Sequence, residues 1–311
     1  MNIQQLEYII AVDEHKHFAR AAESCHVTQP TLSMMIQKLE DELEIKIFDR
    51  SKKPVVTTPP GELVIAQANK IIVEVQRTKD ILRQFKSTLT GELRVGIIPT
   101  LAPYIVHRFI NEFLEKYPGV RLKIREHVTS SIIKRLRKNQ LDVGILVSPI
   151  NDPAIREIPL FYEPLMVYSS HSFDKQYLLP EDLDPEELLL LEEGHCLRSQ
   201  IMNLCELQRK ADTRLNYQSG SLETLMRLVN TGQGVTIIPA LAVEALTEKQ
   251  KKRVFPFKAP APVREVSMAM HRNFLKADLI NAFKEELLKG IPDEFKNGVG
   301  VKRVPIDNMA F

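Results

Sequence analysis

The feature that most constrains this 311-residue chain is a seam between residues 64 and 85. Val64, Ala68, Ile71, Val75, Thr78, Leu82 and Phe85 follow one another in alternating steps of four and three. That repeat sets every member on one narrow stripe of an α-helix. Thr58-Pro59-Pro60-Gly61 marks the helix start. The threonine supplies an N-cap oxygen, and proline is tolerated in the first turn, where its missing N–H costs no bond. A stripe so narrow suits a partner helix better than the broad face of a domain. The apolar members Val64, Ala68, Ile71, Val75, Leu82 and Phe85 are therefore read as a dimer helix over residues 59–87. An ordinary amphipathic helix packed on its own domain is the other reading. The regions on either side are patterned differently, so the helix separates two domains.

Residues 1–58 read as short helices followed by a ribbon. Leu6, Ile9, Ile10 and Val12 recur at helical spacing, and Phe18 to Glu23 is a compact Ala-rich helix. A break at Ser24-Cys25-His26-Val27 leads into Thr28-Gln29-Pro30-Thr31-Leu32-Ser33, with Thr28 as N-cap. Leu32, Ile36, Leu39 and Leu43 form one apolar stripe, which leaves Gln29, Thr31, Ser33, Met34, Gln37 and Lys38 on display. Ile47 to Arg50 and Pro54 to Thr57 pair as a wing. A helix-turn-helix sets the start of its second helix in the major groove of DNA. There Gln29 suits bidentate bonding to adenine, and Thr31 and Ser33 suit phosphate or base edges. The spacing alone fits an αα-hairpin without a ligand equally well.

Charge does not announce nucleic acid. Residues 1–86 carry 12 Lys and Arg against 12 Asp and Glu. Lys16, Arg20, Lys38, Arg50, Lys52 and Lys53 lie around the acids Glu40, Asp41, Glu42 and Glu44, so any basic face depends on the fold. No run approaches the roughly 18 to 20 apolar residues that span a bilayer. Glu7 stands where the apolar core of a signal peptide would run. Three cysteines, Cys25, Cys196 and Cys205, are too few for a secreted disulfide scaffold, and the odd count points to a reducing, cytoplasmic setting. His15, His17, His26 and Cys25 match no standard zinc spacing, so neither metal nor cofactor is expected.

From residue 91 strands and helices alternate. Strands are predicted at 93–98, 120–124, 143–147, 165–168, 188–191, 235–238 and 266–270. Helices are predicted at 105–117, 130–138 and 221–230. Such alternation argues for parallel sheets covered on both faces, in two subdomains that close on a ligand. Residues 88–162 with 267–300 are assigned to regulatory subdomain I, and 163–266 to subdomain II. Residues 290–311 read as a loose tail. The basic run Lys249, Lys251, Lys252 and Arg253 reads as a solvated loop.

The most informative stretch is Leu191-Glu192-Glu193-Gly194-His195-Cys196-Leu197-Arg198-Ser199-Gln200, followed by Cys205. Cys196 falls near a helix N-terminus beside His195 and Arg198, three features that favour a thiolate. A small buried hydrophobe is the alternative, and it is the reading given to Cys25. In a continuous helix the nine residues from Cys196 to Cys205 span roughly 13.5 Å and turn about 900°, which puts the thiols on opposite faces. A disulfide needs Cα atoms within about 7 Å. These two cysteines bond only if the helix between them unravels.

Phe18-Ala19-Arg20-Ala21-Ala22, Val27 to Ser33, Ile36, Lys38-Leu39-Glu40, Leu43, Phe48-Asp49-Arg50 and Thr58 to Gly61 closely resemble the N-terminal domain of LysR-type transcriptional regulators. The resemblance runs the length of the chain. It implies a multidomain α+β protein: an N-terminal winged helix-turn-helix (1–58), a long linker helix, and a two-subdomain α/β effector domain like that of periplasmic binding proteins. It also implies a non-enzymatic homo-oligomer, a dimer of dimers on double-stranded promoter DNA, working with RNA polymerase. By the same resemblance Thr28, Gln29, Pro30, Thr31, Ser33 and Lys38 are recognition-helix contacts and Arg50 a wing contact. Gly194 to Arg198, Cys205, Ser221 to Leu225 and Gly234 to Ala240 look like the hydrogen peroxide sensors within that family. That likeness implies Cys196 as peroxidatic and Cys205 as resolving cysteine, with Thr100, Thr129, His195 and Arg264 orienting peroxide. Thr100 and Thr129 each follow a predicted strand, where ligand groups gather in open α/β sheets. The family usually has Asp where this chain has Ser199. A regulator of the same type that senses a small metabolite, its cysteines incidental, and a thiol peroxidase remain as other readings.

Overall fold

The computed structural model describes residues 1–84, 89–206, 217, 219–272, 274, 277–298 and 301–306. The chain divides into two units, Met1–Ser87 and Thr88–Phe311.

The first unit packs α1 (Ile3–His15), α2 (Phe18–Ser24) and α3 (Gln29–Leu43) around Ile9, Val12, Ala21, Leu32, Ile36 and Leu39, all fully buried. Each helix begins on a polar cap: Asn2 accepts from the Gln5 amide, His17 from Arg20 and Thr28 from Thr31. The turn from α2 to α3 passes through His26 at φ +56°, a left-handed conformation that more often falls to glycine. β1 (Phe48–Asp49) pairs antiparallel with β2 (Val56–Thr57) as the expected ribbon. Glu40 fastens the ribbon to α3. Its buried carboxylate accepts the amides of Ile47 at 2.8 Å and Phe48 at 3.2 Å, and Arg50 donates to it at 3.1 Å.

α4 (Pro59–Gln84) starts where the Thr58 hydroxyl accepts the Gly61 amide. A Cβ on Gly61 would stand 2.2 Å from the Ile47 carbonyl oxygen, so only glycine lets the helix pass this close. Ile65 and Ala68 are buried in the core of this unit, with Val64, Ile71 and Ile72 packed against it. The first half of the seam therefore serves its own unit as well. Further on Val75 is half-buried and Thr78 exposed; Phe85 and the side chain of Leu82 lie outside the described residues.

The second unit runs β3 (Gly91–Ile97), α5 (Ala102–Lys116), β4 (Val120–Glu126), α6 (Thr129–Arg137), β5 (Val143–Ser148) and β6 (Ile155–Ser169). It continues through α7 (Cys196–Leu204), α8 (Leu222–Asn230), β7 (Val235–Pro239), α9 (Ala240–Glu244), α10 (Glu248–Lys251), β8 (Val254–Pro256), β9 (Pro262–His271), α11 (Ala277–Lys289) and β10 (Lys302–Arg303). The strand order is β4-β3-β5-β9-β6-β7. β3 is parallel to β4 and β5, but β9 runs antiparallel to β5 and β6, and β6 antiparallel to β7 and β8. The sheets are thus mixed rather than parallel throughout, because β6 and β9 are long strands shared by both halves. β6 stays beside β9 as far as Pro164, opposite Val263, and from Leu165 pairs with β7.

Two expectations are corrected. Leu188 to Leu191 is no regular strand; it bridges Val235 at Leu188 and Ser219 at Leu191. The tail is not loose over residues 301–306. Lys302 and Arg303 pair with Pro262 and Val263, and Val304 and Ile306 are buried. No helix among the described residues is long and apolar enough to cross a membrane.

Candidate functional site

Gly194, at φ +93°, turns the chain into α7. His195 takes the N-cap position and Cys196 the first helical one. Cys196 is buried, and so are Thr100 just past β3, Thr129 at the start of α6, His195, and Arg264 on β9. Arg264 is the largest fully buried side chain of the described chain. Its guanidinium donates to the Thr100 hydroxyl and carbonyl, each at 3.1 Å, and through Nε to Glu163 of β6 at 2.9 Å. Glu163 and Arg264 are directly opposite in the β6–β9 ladder, and their closest ion-pair contact is 2.7 Å. The second Glu163 oxygen accepts the Leu241 amide at the start of α9, at 2.8 Å.

Four influences compete at the Cys196 thiol. Burial pushes its pKa up and is the largest; the Arg264 charge, the Thr129 hydroxyl and the backbone amides at the start of α7 pull it down. The helix N-terminus and a cation thus act as expected, but the cation is Arg264. Arg198 points elsewhere and donates to the Leu191 carbonyl at 2.9 Å. His195 is held below the usual histidine range by burial, against the pull of Glu192 3.8 Å away. The Thr129 hydroxyl is fully buried and directed at the Cys196 thiol.

α7 is continuous from Cys196 to Leu204, and Cys205 closes it with its amide on the Ile201 carbonyl at 3.0 Å. Both cysteines are free thiols, and burial raises Cys205 to about 11. Gln200 and Asn203 of α7 donate to the carbonyls of Val304 and Pro305 at 3.0 and 3.1 Å. The C-terminal strap therefore rests on the helix between the two cysteines. Cys25 is half-buried against the first core, in keeping with its reading as a small hydrophobe.

In the first unit Thr28, Gln29, Pro30, Thr31 and Lys38 are exposed along the start and one face of α3. Ser33 and Arg50 are joined: the guanidinium donates to the Ser33 hydroxyl at 3.0 Å and lies 4.9 Å from the Phe18 ring centre. Arg50 is thus partly spent on bracing wing to helix. Sequence reading missed Glu40 and Glu163. Glu163 carried a signal, a carboxylate inside the otherwise apolar Leu160-Phe161-Tyr162-Glu163-Pro164-Leu165, whereas Glu40 stands in the acidic run Glu40-Asp41-Glu42 and carried none.

A ribbon-braced helix-turn-helix unit and a two-sheet unit with a buried polar cluster define a DNA-binding regulator with an effector domain. Residues 3–62 match the family described as bacterial regulatory helix-turn-helix protein, lysR family, and residues 86–291 match the LysR substrate binding domain. The chain belongs to the LysR family of transcriptional regulators. It is 39% identical over 271 residues to a protein named hydrogen peroxide-inducible genes activator from Pectobacterium carotovorum, covering 86% of this chain and 89% of the relative. A full-length OxyR cysteine-to-aspartate variant from Pseudomonas aeruginosa superposes with a TM-score of 0.77 at 34% identity, over 93% of this chain and 98% of the other. A hydrogen peroxide-bound cysteine-to-serine OxyR mutant from Corynebacterium glutamicum superposes at 0.60 and 30% identity, over 93% and 92%. The chain is an OxyR-like, DNA-binding regulator.

Proposed function

We propose that this regulator senses hydrogen peroxide at Cys196 and reports it through a disulfide with Cys205. The observation that carries the reading is the buried Cys196 thiol under the influence of the Arg264 charge and the Thr129 hydroxyl, with Thr100 held on the same guanidinium. Peroxide offers two oxygens that both donate and accept, the chemistry these groups match. The peroxide-bound relative from Corynebacterium glutamicum supports the same reading.

The Cys196 thiolate attacks one peroxide oxygen, the O–O bond breaks, and the other oxygen leaves as hydroxide that takes up a proton. Arg264 and the threonine hydroxyls stabilise the charge on the departing oxygen. Cys196 is then a sulfenic acid. The Cys205 thiolate attacks its sulfur and expels the hydroxyl as a second water. Two thiols are oxidised and one peroxide is reduced. The bond forms only after α7 unravels, which makes oxidation a conformational signal.

The exposed Thr28, Gln29, Pro30, Thr31 and Lys38, with Ser33 and Arg50 at the wing, contact promoter DNA; α4 carries the dimer seam of a dimer of dimers that engages RNA polymerase in the cytoplasm. Within this reading residues 1–58 read DNA and 59–87 dimerise. Residues 88–162 with 267–300, and 163–266, are the two regulatory subdomains. The test is promoter output after peroxide in a Cys196→Ser strain, with non-reducing peptide mapping of the parent. A lost response and a Cys196–Cys205 linked peptide are expected. A Cys196→Ser protein that still responds sinks the reading.

A further inference from the structure

The thiol site contains a buried carboxylate that the peroxide chemistry does not use. Glu163 is as inaccessible as Arg264, and every polar atom of its carboxylate is engaged. It lies where β6 leaves β9 for β7, so it sits at the strand crossing that the two halves of the unit share. Its partner spends the rest of its guanidinium on Thr100, by a bond to the hydroxyl and another to the carbonyl. The Arg264 guanidinium is thus held from both sides. Its position and its net field at the sulfur are then set by what lies behind it.

We propose that Glu163 is the positioning residue of the thiol site: it fixes Arg264 in register with Thr100 and offsets part of the charge that Arg264 presents to Cys196. The inference rests on the sensing reading above and deepens it. Burial already disfavours the Cys196 thiolate, and Arg264 opposes that penalty. Glu163 moderates the opposition, so the resting thiol stays mostly protonated while the guanidinium remains aimed for the attack. The other ionisable groups of the network are His195 with Glu192 at the N-terminus of α7, and Tyr104 of α5 hydrogen-bonded to Glu223 of α8. None of them contacts the Arg264 guanidinium among the described hydrogen bonds.

The experiment uses the full chain in a Cys25→Ser, Cys205→Ser background, so that Cys196 is the one thiol. Thiolate absorbance is titrated against pH, and hydrogen peroxide consumption is followed by stopped flow. Glu163→Gln keeps the shape and removes the charge. Its thiolate midpoint is expected to fall by about one pH unit, which is about tenfold more thiolate at neutral pH. Glu163→Asp keeps the charge and retracts it by one methylene. Its midpoint is expected to stay while the peroxide rate per thiolate falls about tenfold, because Arg264 is no longer held against Thr100. A folded Glu163→Gln protein with the parent midpoint overturns the inference, as does a Glu163→Asp protein with the parent rate. If circular dichroism shows Glu163→Gln unfolded, Glu163→Asp decides alone. A parent Cys196 that reacts with peroxide no faster than free cysteine refutes the sensing reading instead, and the titration, which needs no peroxide, still decides the role of Glu163.

Discussion

The proposed switch requires α7 to come apart between peroxide attack and disulfide formation, and Ser199 offers a way to weigh that step. The residue lies half-exposed in the middle of the nine-residue helix, so packing does not dominate its preference. Over that helix the two cysteine Cα atoms are separated by roughly 13.5 Å along the axis and must come within about 7 Å. Glycine costs about 1 kcal/mol relative to alanine in a helix interior, with serine between them. If the helix is lost before sulfur meets sulfur, that whole difference enters the barrier of the second step. Ser199→Gly should then form the disulfide about fivefold faster than Ser199→Ala, with the parent between. The first step should not change, since Cys196, Thr129 and Arg264 keep their places. Rapid quench with a sulfenic-acid trap and mass spectrometry separates the two steps. Equal disulfide rates for Gly and Ala, or the reverse order, would refute the claim that the helix melts before the bond forms.

Glu40→Ala removes the acceptor of two ribbon amides and of Arg50, leaving buried donors unpaired. A loss of about 1–3 kcal/mol is expected for each buried amide left unpaired, read as an earlier calorimetric transition of the full chain together with weaker DNA binding; an unchanged thermogram would show that the ribbon is held otherwise. Gly61→Ala drives a methyl to 2.2 Å from the Ile47 carbonyl, and about 1–3 kcal/mol is lost to overpacking, measured as a lower urea midpoint. His195 and His127 are both held below the usual histidine range, chiefly by burial. The unfolded chain therefore takes up protons that the folded unit refuses. The stability they support is present above about pH 6.5 and falls as pH drops through the folded values. Urea midpoints at descending pH should show this, and His195→Asn should flatten the slope.

Much of the fold was legible because local patterns carried it. Thr28 caps α3 as its side chain dictates, Thr58 and Gly61 open α4 as the motif implies, and the alternation from residue 91 placed β3, α5, β4, α6 and β5 within a few residues. The expectation that failed was sheet direction, since nothing local distinguishes a strand after a crossover helix from one that runs on between two halves, as β6 and β9 do. The strap at 302–306 was missed for a related reason: its partners are Pro262, Val263, Gln200 and Asn203, far away in sequence. At the site, the residue types and the helix N-terminus were readable, but local spacing offered Arg198 as the cation beside the sulfur, and only the resemblance offered Arg264. Arg198 is adjacent in sequence and turns away to Leu191, whereas Arg264 arrives on a strand whose register only the sheet defines.

That substitution of one arginine for another changes the chemical picture of the proposed sensor. A thiol activated by its sequence neighbours at a surface helix end would be open to any thiol or disulfide in the cell. Here burial outweighs the charges at Cys196 and raises Cys205 to about 11, so both sulfurs rest as thiols. Exchange with a bulky disulfide needs an exposed thiolate, and neither cysteine supplies one. On the proposed reading, peroxide is small enough to reach Cys196 beside Thr129, and the Arg264 charge acts on the oxygen that departs. Selectivity on this account comes from the penalty that keeps the thiol quiet. A substitution that solvates the pocket should speed reaction with a disulfide reagent more than reaction with peroxide.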